Sequence, residues 1–128
     1  MFFGIFAQLQ TNKMNNNIKI AFLIPMTSKG TNWGRVEDSY FSQIFWKSLK
    51  SSLNLKYTYR FYLVIDKDDS LFFNEDFKIF EESNLHFNIS IIKIINYSIQ
   101  KGYLTKLWNI AFLKAYLDGF HYFYQCGD

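Results

Sequence analysis

The chain has 128 residues, of which 49% are hydrophobic and 21% aromatic, with fifteen Phe and nine Tyr. That length suits one small domain able to bury about two thirds of the surface its unfolded form exposes, and the composition excludes a disordered chain. A net charge of +3 arises from 14 basic and 11 acidic residues that are scattered rather than gathered in a stripe, so no nucleic-acid partner is expected.

Cys126 is the lone cysteine and cannot form an intramolecular disulfide, which fits a reducing compartment. The apolar run Phe2-Phe3-Gly4-Ile5-Phe6-Ala7 is too short for a spanning helix and has no basic segment before it. No membrane span is expected, and a cytoplasmic location is the default. Residues 8 to 17 are polar and without apolar period, so residues 1–17 read as a loosely ordered leader and residues 18–128 as the domain.

Ile18 to Pro25 is a nearly continuous apolar run ended by the single proline, which suits a buried parallel strand. Turn formers fill Thr27 to Gly34, after which Val36, Tyr40, Ile44, Trp46, Leu49 and Leu53 recur at roughly helical spacing. A second strand follows over Tyr59 to Ile65 and runs into Asp66, Asp68 and Asp69. Asn74 can cap a short helix over 75–83, with Glu75 and Asp76 in its first turn and Phe77 and Phe80 on one face. Phe87 to Ile95 reads as the third strand. Tyr103 to Leu117 carries Leu104, Leu107, Trp108, Ala111, Phe112, Ala115 and Tyr116 at helical spacing and closes at Asp118-Gly119. Phe120 to Cys126 is the fourth strand. This alternation predicts an α/β domain of three layers, α/β/α, around a mostly parallel, Rossmann-like sheet.

In such sheets ligands bind at the carboxyl ends of the strands. Most of the polar candidates fall there: Thr27, Ser28 and Lys29 after the first strand, Asp66, Asp68 and Asp69 after the second, Lys101 and Gly102 after the third, Gly127 and Asp128 after the fourth. Each also has a plain reading. The acids and Gly102 are ordinary turn formers, Lys101 is a solvated loop charge, and Asn109 is a structural mid-helix amide. Trp33 and Trp108 read as core, and Cys126 as a buried inert thiol. His86 and His121 have no spacing that makes a metal site. The chain lacks the dinucleotide fingerprint, the phosphate loop and the nucleophile elbow.

Taken in order, the strand ending in Pro25-Met26-Thr27, the strand ending in Asp66, Lys101-Gly102 with Asn109 in the next helix, and the aromatic strand ending in Gly127-Asp128 resemble the nucleotide-binding half of a GT-A glycosyltransferase of the family 2 type. The likeness covers residues 18–128 and rests on order and placement. It implies that Pro25, Met26, Thr27 and Ser28 line the nucleobase and ribose pocket and that Asp66 accepts a hydrogen bond from the base. Lys101, Gly102 and Lys106 would approach the diphosphate, and Asn109 matches an Asn common in the family. Asp128 would be the first acid of a motif that holds Mn²⁺ or Mg²⁺ on a nucleotide-diphosphate sugar, since hard cations prefer carboxylate oxygens and neutralise a departing diphosphate.

The family's second acid, its acceptor site and its catalytic base lie beyond residue 128, so the resemblance implies a truncated donor-binding half. It would be a hexosyltransferase-like enzyme only when completed, for an acceptor the sequence does not name. The alternative is a non-catalytic α/β binding or interaction module whose rim acids are turn residues. A phosphoryl-accepting receiver-like domain fits less well, because Pro25-Met26-Thr27 stands where its paired acids belong. An apolar sheet edge is also expected to favour self-association.

Overall fold

The computed structural model of the chain describes residues 2–8, 18–98 and 103–127, with residues 2–8 and 127 described by backbone alone. The strands are β1 (Phe2–Gln8), β2 (Lys19–Met26), β3 (Thr58–Asp66), β4 (Ile89–Asn96) and β5 (Tyr122–Gly127). They form one sheet in the order β1-β5-β2-β3-β4, in which β2 to β5 are mutually parallel and β1 runs antiparallel to β5.

β1 corrects the sequence reading, which puts residues 1–17 in a loosely ordered leader. Phe2 to Gln8 pair along Gly127 to Tyr122, with an irregularity between Ile5 and Ala7. The short apolar run that cannot span a membrane is long enough for a strand, and it covers an edge of β5 that would otherwise present unpaired main-chain groups. Residues 9–17 lie outside the described residues.

A helical segment of changing pitch joins β2 to β3: a π-helical stretch Phe41–Trp46, an α-helical turn α1 (Lys47–Leu49) and a 3-10 turn Lys50–Ser52. Its buried face is formed by Phe41, Phe45 and Trp46, while Tyr40 and Ile44 of the expected stripe are exposed. The wider π pitch is what brings positions 41, 45 and 46 together. Asn74 caps α2 (Glu75–Asn84) as expected, its side chain accepting from Phe77 N–H at 3.3 Å. α3 (Leu104–Leu117) buries Leu107, Ala111 and Ala115, one residue per turn, and ends at Gly119 with φ of 90°.

The two faces of the sheet carry separate cores. Phe22, Ile24, Phe61, Leu63 and Ile65 pack under the segment from Phe41 to Trp46 and under α2, and Ala21, Leu23, Tyr62, Val64 and Phe123 pack under α3. This is the predicted three-layer α/β/α domain with a mostly parallel sheet. Among the described residues no helix is long and apolar enough to cross a membrane.

The chain moves from β2 to β3 to β4 in one direction, then returns over the opposite face through α3 to place β5 on the other side of β2. The winding therefore reverses between β2 and β5, the place where open α/β sheets form a crevice.

Candidate functional site

Pro25 stands near that switch point. The carbonyl of Ile18 accepts from Thr58 N–H, so even-numbered residues of β2 direct their main-chain groups at β3 and odd-numbered ones at β5. Proline has no N–H, and the one missing at position 25 would have faced β5. Pairing of β2 with β3 continues to Met26 opposite Ile65, whereas pairing with β5 stops at Leu23 opposite Gln125. The two ladders end at different heights, and the Cys126 carbonyl at the tip of β5 accepts from the Trp108 side chain. The sequence reading ends the strand at this proline; the structure keeps Pro25 and Met26 inside it, both buried.

The acids at the exit of β3 occupy three environments. Asp66 accepts from Asn96 Nδ2 at 2.7 Å and pairs with Lys29 Nζ at 3.3 Å. Asp68 is exposed and meets the same ammonium at 2.9 Å. Asp69 is buried and accepts from Ser28 N–H at 2.7 Å and from the Ser28 hydroxyl. The Asp68 carboxylate, aided by Asp66, holds the Lys29 ammonium above its ordinary pKa, and Lys29 in turn holds Asp68 below the usual carboxylate range. The loop after β2 is thus fastened to the turn after β3 by Ser28 and Lys29 together.

Asn96 was not among the sequence candidates. It is buried at the end of β4, and its carbonyl accepts from Lys67 N–H at 3.1 Å while its amide holds Asp66. The signal available in the sequence was an amide closing a strand rich in isoleucine.

α3 starts at the same rim, because it leaves the carboxyl end of β4. Trp108 Nε1 donates to the Cys126 carbonyl at 2.8 Å and ties the first turns of α3 to the tip of β5. Lys106 and Asn109 are exposed on these turns, with the Lys106 ammonium 5.0 Å from the centre of the Tyr103 ring. Thr27 Oγ1 accepts from Lys29 N–H at 3.1 Å. Thr27 and Met26 also line a cavity of about 10 Å³ with Trp33, Tyr40 and Phe72, room for one water at most. The structure therefore places Thr27, Ser28 and Asp66 together at the carboxyl ends of β2 and β3, with Pro25 and Met26 buried in β2, while Lys106 and Asn109 are exposed on the first turns of α3. Lys101, Gly102 and Asp128 lie outside the described residues.

Cys126 is fully buried, as the sequence reading has it. Among the described residues no group of three His, Cys, Asp or Glu side chains could hold a metal ion. Asp128, on which the resemblance places the Mn²⁺ or Mg²⁺, is outside those residues, and Asp66 and Asp68 are engaged by Lys29. The chain matches no protein-family model, no curated protein and no solved structure.

Proposed function

We propose that the rim between β2, β3 and β5 binds a nucleoside diphosphate, as the donor-binding part of a glycosyltransferase that takes a nucleotide-diphosphate sugar. The observation that supports the reading is the reversal of winding between β2 and β5, where their ladder ends at Leu23, with Asp66 at the carboxyl end of the neighbouring β3. β5 and β3 flank β2, so their tips stand about 10 Å apart on one edge, a span suited to a pyrophosphate.

In this reading the loop at Thr27 and Ser28 borders the nucleoside, and Asp66 accepts from the base with the lone pairs that Asn96 and Lys29 leave over. The N-terminus of α3 and Lys106 face the phosphates, where the helix dipole favours negative charge. A Mn²⁺ or Mg²⁺ ion on the diphosphate would take Asp128 as a ligand in this reading and would neutralise charge on the departing group. A non-catalytic interaction module is the second reading, favoured by the engagement of Asp66, Asp68 and Asp69 in loop contacts.

Calorimetric titration with uridine and guanosine diphosphates, each with and without Mn²⁺, separates the two. Donor binding predicts saturable heat with one of them and a loss of roughly tenfold or more in affinity for Asp66→Ala, with the melting transition retained. No heat with either nucleotide, or an affinity indifferent to Asp66→Ala, leaves the interaction module standing.

A further inference from the structure

β4 ends the sheet, and among the described residues no strand pairs with its outer side. Tyr59 N–H donates to Asn88 O and Lys67 N–H to Asn96 O, so even-numbered residues of β4 address β3. The main-chain groups of Ile89, Ile91, Lys93 and Ile95 therefore point outward, apart from Ile89 N–H, which donates to His86 O at 3.0 Å.

Edges of this kind are normally blunted by charge, proline or a bulge. β4 has no proline, and its register against β3 is unbroken from Ile89 to Asn96. Its single charge is turned inward: Lys93 Nζ lies 3.9 Å from the centre of the Phe77 ring and 3.7 Å from a Glu81 carboxylate oxygen. Burial lowers the pKa of this ammonium, in keeping with a charge withdrawn from solvent. Beyond the strand ends stand two strongly exposed aromatics, Phe87 at 89% and Tyr97 at 70%.

We propose that β4 pairs antiparallel with β4 of a second copy about a twofold axis through Ile92, making one continuous sheet across the dimer. Outward groups lie on odd residues, so odd must meet odd, and the axis can pass only through Ile91, Ile92 or Lys93 if the strand is to stay well overlapped. An axis at Lys93 sets two ammonium-bearing residues directly opposite, which is unfavourable. An axis at Ile91 leaves Ile95 without a partner inside the strand. With the axis at Ile92, Ile89 meets Ile95 of the second copy, Ile91 meets its Lys93, and all four outward residues are matched. Phe87, in the turn before the strand, and Tyr97, in the bend after it, then lie near the two ends of the shared ladder, where their exposed rings add apolar surface to the contact. The occupant that fits this edge is thus its own copy.

Two variants test the pairing in the full chain. Ile95→Pro removes an outward N–H and none that serves β3, a position where a strand tolerates proline. It should weaken self-association, measured by sedimentation and light scattering, by roughly thirtyfold, because two symmetry-related hydrogen bonds are lost together. Ile92→Cys places two thiols across a non-hydrogen-bonded pair with Cα atoms about 4.5 Å apart, and should give a disulfide-linked dimer on mild oxidation. Ser90→Cys alone should not, and the buried Cys126 does not compete. A chain that stays monomeric at every concentration overturns the proposal, as does a dimer unchanged by Ile95→Pro. Should Ile95→Pro fail to fold, the contrast between cysteines at 92 and 90 decides: equal cross-linking, or none, rejects the register.

Discussion

Asp118 follows the last turn of α3, where the helix dipole disfavours a carboxylate, yet it is the hub of a cluster. It accepts from the Tyr62 hydroxyl at 2.8 Å and meets Lys114 at 3.0 Å and Arg60 at 3.4 Å. Burial pushes the Tyr62 hydroxyl well above its ordinary pKa and works to raise Asp118, but the hydrogen bonds from Lys114 and Tyr62 prevail and hold the carboxyl below the usual range. A depressed folded-state pKa means that the unfolded chain binds the proton more readily, so this stabilisation is complete above the ordinary carboxylate range and is lost as pH falls through the folded value. Melting temperature should therefore decline as pH drops below about 5, and Asp118→Asn should flatten that slope while lowering the transition at neutral pH by about 4 °C. Thermal melts of both proteins across this range measure it; parallel curves would remove Asp118 from the account. The cluster escapes sequence reading because Arg60, Tyr62 and Asp118 meet only after α3 has crossed the sheet. Asp69 is a similar case. Side by side in the chain, Asp66, Asp68 and Asp69 are equivalent turn formers, and what separates them is the fold of the loop carrying Ser28, 41 residues away from Asp69.

α2 was legible because its signals are local: an Asn cap, acids in the first turn, and Phe77 and Phe80 one turn apart. The segment from Phe41 to Ser52 was not. Its aromatics at 41, 45 and 46 fit no regular α-helical stripe, and the pitch yields so that all three enter the core against Phe61. Phe77 joins these two elements. It has no exposed surface, packs near Phe41, Phe72 and Phe80, and carries the Lys93 ammonium on its face. Phe77→Ala should cost about 3–5 kcal/mol in urea unfolding, since the cavity opens between two packed elements and a half-buried cation loses its aromatic contact. Ile79→Ala, on the exposed side of the same helix, should change stability by less than about 0.5 kcal/mol. Equal losses at the two positions would mean that α2 is not seated on the sheet by this ring.

Alternation of apolar runs and helical stripes was enough to fix the class of the molecule, but not the order of its strands. Consecutive strands tend to be neighbours, and by that rule β5 belongs beside β4; it lies instead beside β2, and the switch point near Pro25 exists only because of that placement. Nor does local pattern say that Phe2 to Gln8 return to pair with β5, since the partner strand lies more than a hundred residues away. β1 has two consequences for the whole molecule: it pairs the side of β5 turned away from β2, and it takes the place of β5 as the edge opposite β4. Deleting residues 1–8 should then lower the melting temperature by roughly 5–10 °C through lost ladder bonds. It should also create a second sticky edge along Tyr122–Gly127. Association arising there would survive Ile95→Pro, whereas association through β4 would not, so sedimentation of the shortened chain with and without that substitution distinguishes the two edges. A shortened chain that melts and sediments like the full one would show that β5 does not depend on β1, and the sheet would then count four strands in its stable core.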